Sequence, residues 1–338
     1  MILNTWILGL IVGQLVVLGI FTFGSINAAK IYINWDYSAS SERQYFLEKR
    51  TYLVAALMKF ALLTHIFLFA LTALALDEIA PLIIGAMCPV GVLASNSYGF
   101  PFLYLKIASV FIFATWLIFN HIDNQMRDYP LVGLKYFYLL VCYPVYIVET
   151  VLFFLFVFKL NPMVITSCCG SVFSESASGI TGTMSSVPTA VVLISLAVLV
   201  MVIILRYALS RKQAQLKLLS ALAGSVVWMG FFVVSILAVL SFISVYIYEM
   251  PTHHCPFCFM QGEYYYIGFP LYFFLFTATI AGFNRGIVEL LKWNSHLSNY
   301  ITEFQAKLDH TALICMSGFL VTGFLPFVFY YIRTGRLI

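Results

Sequence analysis

The chain has few charged residues. Lys, Arg, Asp and Glu make up 9% of its 338 residues, whereas 62% are hydrophobic. This leaves too few polar side chains to cover a water-soluble body of this length. The positive residues are scattered over several short segments and form no basic face, which excludes nucleic acid as a partner. The sequence therefore predicts an integral membrane protein whose main partner is the lipid bilayer.

Several familiar motifs are also lacking. The chain has no phosphate-binding glycine loop and no HExxH, so neither nucleotide hydrolysis nor zinc proteolysis is indicated. Phe259 follows Cys258, which excludes the CxxCH motif of c-type haem. No positively charged segment precedes the first apolar stretch. We therefore expect that stretch to be a retained helix and not a cleaved signal peptide.

The chain does contain long apolar stretches, which favour transmembrane helices. A bilayer core of about 30 Å needs about 20 apolar residues per helix. Eight stretches are long enough, so we expect an all-α, polytopic membrane protein. They lie near residues 6–26, 52–76, 101–120, 133–160, 187–207, 218–248, 267–289 and 311–333.

The Lys and Arg residues predict the orientation, because short loops rich in them stay in the cytoplasm. Three alternate loops, residues 77–100, 161–186 and 249–266, contain none. These loops and both termini are expected on the periplasmic side of a bacterial inner membrane; a bacterial host is assumed only because eukaryotic targeting signals are lacking. Thirteen of the 18 Lys and Arg residues lie in or beside the other four loops: Lys30, Arg43, Lys49, Arg50, Arg127, Lys135, Arg206, Arg211, Lys212, Lys217, Arg285, Lys292 and Lys307.

Two halves of the chain resemble each other. The segments that begin at Cys88 and at Cys255 both start with Cys-Pro, contain tyrosine and reach Gly-Phe-Pro before an aromatic-rich helix. We therefore predict two tandem four-helix repeats, residues 1–160 and 187–338. An extracytoplasmic linker rich in Ser, Gly and Thr, residues 161–186, would join them.

The cysteines are concentrated on the predicted outer face. Five of the seven lie there, an odd number, so complete pairing among them would leave one thiol over. Two of the five are neighbours in sequence, and a bond between them would be strained, because Cα atoms about 3.8 Å apart are too close for an ordinary disulfide. The five are Cys88, Cys168, Cys169, Cys255 and Cys258.

The CxxC pair at 255–258 favours thiol–disulfide exchange or electron relay as the leading hypothesis. Cys255 or Cys258 would attack, and the cations of His253 or His254 would lower the pKa of the attacking thiol. Cys88, Cys168 and Cys169 would act as resolving or relay thiols. The chain would then be a membrane thiol–disulfide oxidoreductase that serves an extracytoplasmic thiol protein, and a quinone could be its cofactor.

Three other interpretations stay open at this point. His253, His254, Cys255 and Cys258 could bind a soft metal such as copper or zinc, with a further thiolate from Cys88 or from the neighbouring cysteine pair, and exchange it with a metal-carrying protein. The same cysteines could form a permanent disulfide that ties outer loops together. With 17% aromatic residues, the chain could also be a non-catalytic anchor subunit of a larger membrane complex.

Two ionisable residues lie near the middle of predicted spans, where such residues are costly and often functional. Glu149 and His65 are expected to pair across the first repeat, either as a proton relay or as a hydrogen bond that holds two helices together. Lys106 is expected to extend its amine to the membrane interface and is given no role.

Overall fold

The computed structural model describes residues 4–36, 41–126, 129–164, 166, 187–212, 218–251, 253–293 and 295–338. These residues form helices and connecting loops, and no strand occurs among them. The helices are α1 (Thr5–Asn34), α2 (Glu42–Ile79), α3 (Pro89–Ala94), α4 (Gly99–Asp123), α5 (Val132–Phe158), α6 (Thr189–Lys212), α7 (Leu218–Ala238), α8 (Ser244–Tyr248), α9 (Gly268–Ile287) and α10 (Ser295–Thr334).

Eight helical segments of the described chain are long and apolar enough to cross a membrane. They contain α1, α2, α4, α5, α6, α7, α9 and α10, and the seventh runs on through a 3-10 helix to Lys292. Among the described residues, the predicted all-α fold and the predicted number of membrane-length apolar helices are confirmed. Length and composition of these helices suggest an integral membrane protein.

Several helices are longer than the sequence predicted, and α2 and α10 exceed their predicted stretches most. α2 has 38 residues and α10 has 40, which correspond to about 57 and 60 Å, about twice the bilayer core. Their extra turns are charged and lie outside the apolar stretches, so hydropathy alone does not detect them. The side chain of Ser41 accepts a hydrogen bond from the backbone N–H of Gln44, which fixes the early start of α2.

The chain divides into two compact units, Met1–Thr166 and Ser167–Ile338. In the first unit, α1 packs against α2 and α5, and α4 packs against α5 and α2. In the second unit, α9 packs against α7 and α10, and α6 packs against α7. Each unit contains four of the eight membrane-length segments. The tandem duplication itself stays a prediction, as do the repeat boundaries. Most of the predicted linker lies outside the described residues.

The loop before α3 is fixed by a close backbone approach. The N–H of Ile84 donates to the carbonyl of Pro162 at 3.3 Å, and the N–H of Thr166 donates to the carbonyl of Ile84 at 3.0 Å. Gly85 between these contacts has a φ of 81°, and a Cβ there would lie 2.7 Å from the carbonyl oxygen of Thr166. Only glycine fits both the angle and the contact. This loop leads directly to Cys88, the N-cap of α3.

Candidate functional site

The CPFC turn of the second unit is held by tyrosines from the two helices beside it. The hydroxyl of Tyr248, the last residue of α8, donates to the carbonyl of Cys255 at 2.7 Å and accepts from the N–H of Phe259 at 2.9 Å. The hydroxyl of Tyr272 on α9 donates to the carbonyl of Pro256 at 2.7 Å. These bonds satisfy backbone groups in a buried loop and fix the turn between two helices.

The loop around this turn has an unusual backbone. Glu249, Tyr265 and Tyr266 all adopt the left-handed region, with φ of 55°, 54° and 55°. Each such residue costs about 1–3 kcal/mol unless its surroundings enforce the conformation. Strain of this kind is concentrated at binding and catalytic sites, so the loop is a candidate site on backbone grounds alone.

Cys255 and Cys258 have the environment of ligands. Cys255 is fully buried and Cys258 is 6% exposed. The backbone N–H of Phe257 donates to Cys255 Sγ over 3.4 Å. A donor aimed at sulfur stabilises its negatively charged form, which is the form that binds metals. The turn thus supplies two closely spaced sulfurs and a backbone group that favours a thiolate at the first.

Two buried cysteines of the second unit form a pair that could hold a metal ion. The sulfur atoms of Cys255 and Cys258 lie within 4.8 Å of each other. Cys88 is buried at the N-cap of α3 in the first unit. Among the described residues, neither His253 nor His254 belongs to the sulfur pair, although the sequence predicts both in the metal site together with the cysteines. Thiolates are soft ligands and suit Cu(I) and zinc.

The histidines have other contacts. His254 Nδ1 lies 2.9 Å from the carbonyl oxygen of Leu240, which can only accept, so Nδ1 carries a proton. Leu240 belongs to a π-helical stretch, Val239–Ile243, that connects α7 to α8. The ring of His253 packs against the ring of Tyr248, with centroids 4.2 Å apart. Both histidines therefore contribute to the frame around the turn.

Two of the predicted site cysteines, Cys168 and Cys169, lie outside the described residues. Cys142 and Cys315, which sequence reasoning left out of the site, are buried within α5 and α10.

A second constellation lies in the membrane-length helices of the first unit. Glu149 and Lys106 form a buried ion pair, with Lys106 Nζ 2.9 Å from Glu149 Oε1. Lys106 is 1% exposed and Glu149 is fully buried. The expectation that Lys106 extends to the membrane interface is wrong, because its amine pairs with the carboxylate of Glu149 on α5 inside the unit.

His65 also lies at this ion pair. His65 Nε2 is 3.5 Å from Glu149 Oε2 and 3.0 Å from Ser109 Oγ, and Ser109 Oγ donates to Glu149 Oε2 at 2.6 Å. Lys106 Nζ lies 3.4 Å from His65 Nδ1. An ammonium only donates, so Nδ1 accepts, and a neutral ring then carries its proton on Nε2. The hydrogen bonds run in one direction, from His65 through Ser109 to Glu149.

Gln14 on α1 completes this network. Its Nε2 donates to Thr150 Oγ1 at 3.1 Å and to Glu149 Oε1 at 3.4 Å. Its Oε1 accepts from Lys106 Nζ at 3.5 Å. Sequence reasoning missed Gln14, Lys106 and Ser109. The available signal was a polar residue in an apolar helix, which Gln14 shows within the first span.

A further buried ion pair closes the opposite end of the same unit. Lys135 at the start of α5 pairs with Asp123 at the end of α4, and both are fully buried. Asp123 Oδ1 also accepts from the N–H of Leu131 at 2.9 Å, and the indole N–H of Trp116 donates to the carbonyl of Lys135 at 3.1 Å. These contacts fix the connection between the two helices, which is a structural role.

Comparison of the chain with protein-family models, with curated proteins and with solved structures found no match.

Proposed function

We propose that this chain is an integral membrane protein that binds a soft metal ion, Cu(I), through cysteine thiolates at the CPFC turn. The observation that carries the proposal is the turn itself. Two sulfurs lie within 4.8 Å of each other, and a backbone N–H is donated to the first of them.

The number and type of ligands favour Cu(I) over zinc. Structural zinc sites are almost always tetrahedral and need four ligands. The turn supplies two thiolates, whereas Cu(I) is a soft ion that thiolates select. Burial of Cys255 and Cys258 fits a protected metal ion, because oxygen and water would oxidise or hydrate an exposed one.

Thiol–disulfide exchange is the second candidate, favoured by the CxxC spacing. A Cys255–Cys258 disulfide would be reduced to two thiols as an extracytoplasmic dithiol is oxidised to a disulfide, and a quinone could then accept the two electrons and two protons that restore the Cys255–Cys258 disulfide. Exchange requires a partner thiolate to reach a sulfur. The burial of Cys255 and Cys258 opposes this approach, so we rank exchange below metal binding.

We propose a second role, proton transfer, for three polar residues within the membrane-length helices of the first unit. The His65–Ser109–Glu149 chain supports a proton relay, because each donor lies within hydrogen-bond reach of the next acceptor. Lys106 Nζ lies 2.9 Å from Glu149 Oε1, at the acceptor end of this chain. We place the CPFC turn on the periplasmic side, on the strength of the distribution of Lys and Arg.

Metal content of the purified full-length protein tests the proposal. We expect one equivalent of Cu(I) after anaerobic loading, and a loss of at least tenfold in affinity in Cys255→Ser and Cys258→Ser, measured by competition with a Cu(I) chelator. Cys142→Ser and Cys315→Ser are matched controls, since both remove a buried thiol from a helix.

The outcomes separate the two candidates. Equal copper binding by Cys255→Ser, Cys258→Ser and the controls would exclude the proposed site. If Cys255 and Cys258 bind no metal and react with an alkylating reagent only after mild reduction, they form a disulfide in the purified protein. That result would favour thiol–disulfide exchange.

A further inference from the structure

A cavity in the second unit, away from the cysteines, contains an unbalanced positive charge. Its volume is about 180 Å³, and it lies among α6, α7, α9 and α10. The residues that characterise it are Arg206, Ser220, Gly224, Trp228, Arg285 and Asp309. Arg206 lies near the C-terminal end of α6, where the sequence places the cytoplasmic side.

Among the described residues, the ionic contacts leave Arg206 without a carboxylate partner. Arg285 Nε lies 3.3 Å from Asp309 Oδ2, which pairs these two charges. Arg206 donates to the carbonyl of Ser220. In the part of the chain that the structure describes, no carboxylate lies within 4.0 Å of the Arg206 guanidinium. Two guanidinium groups therefore share one carboxylate at the cavity.

A nearby acid does not correct the balance. Glu289 Oε2 lies 2.9 Å from Lys292 Nζ and accepts from Gln305 Nε2 at 2.8 Å. Its charge is paired with Lys292, which does not line the cavity. The cavity thus keeps a formal charge of one positive unit.

Small residues give the cavity its shape. A Cβ on Gly224 would lie 2.8 Å from Nη2 of Arg206, so an alanine there would displace the guanidinium. A Cβ on Gly282 would lie 2.1 Å from the ring of Trp228. The positions of the guanidinium and of the indole both depend on glycine. The guanidinium of Arg206 and the indole ring of Trp228 both line the cavity.

We infer that this cavity binds a phosphate group, either of an anionic phospholipid or free in solution. A guanidinium presents several donors in a planar fork that matches phosphate oxygens. A single phosphate diester carries the charge that balances the cavity. Basic pockets between membrane helices on the cytoplasmic side are suited to lipid headgroups. This inference does not depend on the metal proposal.

Binding to purified full-length protein tests the inference, with three probes. Phosphatidylglycerol retained on the protein is counted by native mass spectrometry, and phosphatidylcholine, whose phosphate is neutralised by choline, is the matched lipid. Inorganic phosphate is titrated against the melting temperature. We expect Arg206→Gln to weaken phosphatidylglycerol binding about tenfold, the loss of a charge-assisted hydrogen bond.

Three further variants keep the result interpretable. Arg206→Lys keeps the charge and loses the planar guanidinium, so it should bind phosphatidylglycerol more weakly than the wild-type protein and more tightly than Arg206→Gln. Asp309→Asn makes the cavity more positive and should bind phosphatidylglycerol more tightly than the wild-type protein. Lys307→Gln removes an exposed charge outside the cavity and should bind as wild type does.

The arms distinguish the sources of phosphate. Retention of phosphatidylglycerol that depends on Arg206 assigns the site to a lipid headgroup. Stabilisation by inorganic phosphate that depends on Arg206, without lipid retention, assigns it to a soluble phosphate. Binding of every probe that is unaffected by Arg206→Gln and by Asp309→Asn would overturn the inference.

Discussion

Lys106 and Glu149 show how costly a single buried charge is in this chain. Moving an ion out of water costs several kcal/mol, and only a close partner with further hydrogen bonds repays that cost. Here the partner is 2.9 Å away, and Ser109 and Gln14 satisfy the remaining carboxylate positions. Removal of one member leaves the other charge buried without its partner, which lowers the stability more than removal of both members does.

We therefore predict that Lys106→Met lowers the free energy of unfolding by about 3–5 kcal/mol. The double variant Lys106→Met/Glu149→Leu should recover most of this loss, because no unpaired charge remains. Lys307→Met, which breaks an exposed pair with Glu303, should leave the stability close to that of the wild-type protein. The measurement is denaturant unfolding in detergent micelles. A Lys106→Met variant as stable as wild type would show that the pair is not buried.

Sequence reasoning identified Glu149 and His65 but not the cation between them. A lone acid and a lone histidine in apolar stretches are visible by composition. Lys106 is six residues inside its predicted span, where a long side chain can equally reach the interface or an internal partner. Its partner is 43 residues away on another helix, so only the packing of α4 against α5 decides between the two.

At the scale of elements, the helices beside the CPFC turn hold the site. Tyr248 ends α8 and Tyr272 lies on α9, and their hydroxyls bond the backbone of the turn on both sides. The turn is therefore positioned by its neighbours, because three left-handed residues in the same loop oppose its conformation. Loss of either tyrosine hydroxyl should make the positions of the Cys255 and Cys258 sulfur atoms less fixed, although both ligands remain.

We predict that Tyr248→Phe costs about 1–3 kcal/mol of stability and also weakens Cu(I) binding. The carbonyl of Cys255 and the N–H of Phe259 lose their partner in a buried position. Tyr246→Phe is the matched control: Tyr246 is in the same helix, and its hydroxyl has no hydrogen bond within the described residues. Thermal unfolding and chelator competition check both effects. Equal behaviour of the two variants would contradict this role of Tyr248.

The helices themselves were largely predictable, and their ends were not. A run of about 20 apolar residues is a strong signal, and all eight such runs are helical. The charged first turns of α2 and the first turns of α10 are helical because of helix propensity and capping, which a search for apolar stretches does not detect. The turn at 255–258 was recognisable from CxxC, but the tyrosines that hold it are contributed by helix ends that sequence reasoning did not connect to it.

At the scale of the whole molecule, the distribution of charge is the basis of the proposed orientation. Five of the seven cysteines lie in loops without Lys or Arg, and none lies in the loops rich in them. Arg333 at the end of α10 is an exception to this pattern, and it forms an ion pair with Glu249, which precedes the CPFC turn. Both residues therefore lie at the same end of the second unit, as the proposed topology requires.

Labelling of single added cysteines tests the orientation. Glu263→Cys lies in the loop of the CPFC turn and Glu303→Cys lies in the charged first part of α10, and both positions are exposed. A membrane-impermeant maleimide applied to intact cells should label the first and not the second, above the background of the unmodified chain. Labelling of Glu303→Cys alone would reverse the orientation, and labelling of both to the same extent would contradict it.

The most direct test of the proposed metal site is X-ray absorption at the copper edge on the anaerobically loaded, full-length protein. The account predicts Cu(I) bound by the sulfur atoms of Cys255 and Cys258, with a lower sulfur number in Cys258→Ser and an unchanged one in Cys142→Ser. Copper surrounded by nitrogen or oxygen atoms, or the same sulfur shell in Cys258→Ser as in the wild-type protein, would contradict it.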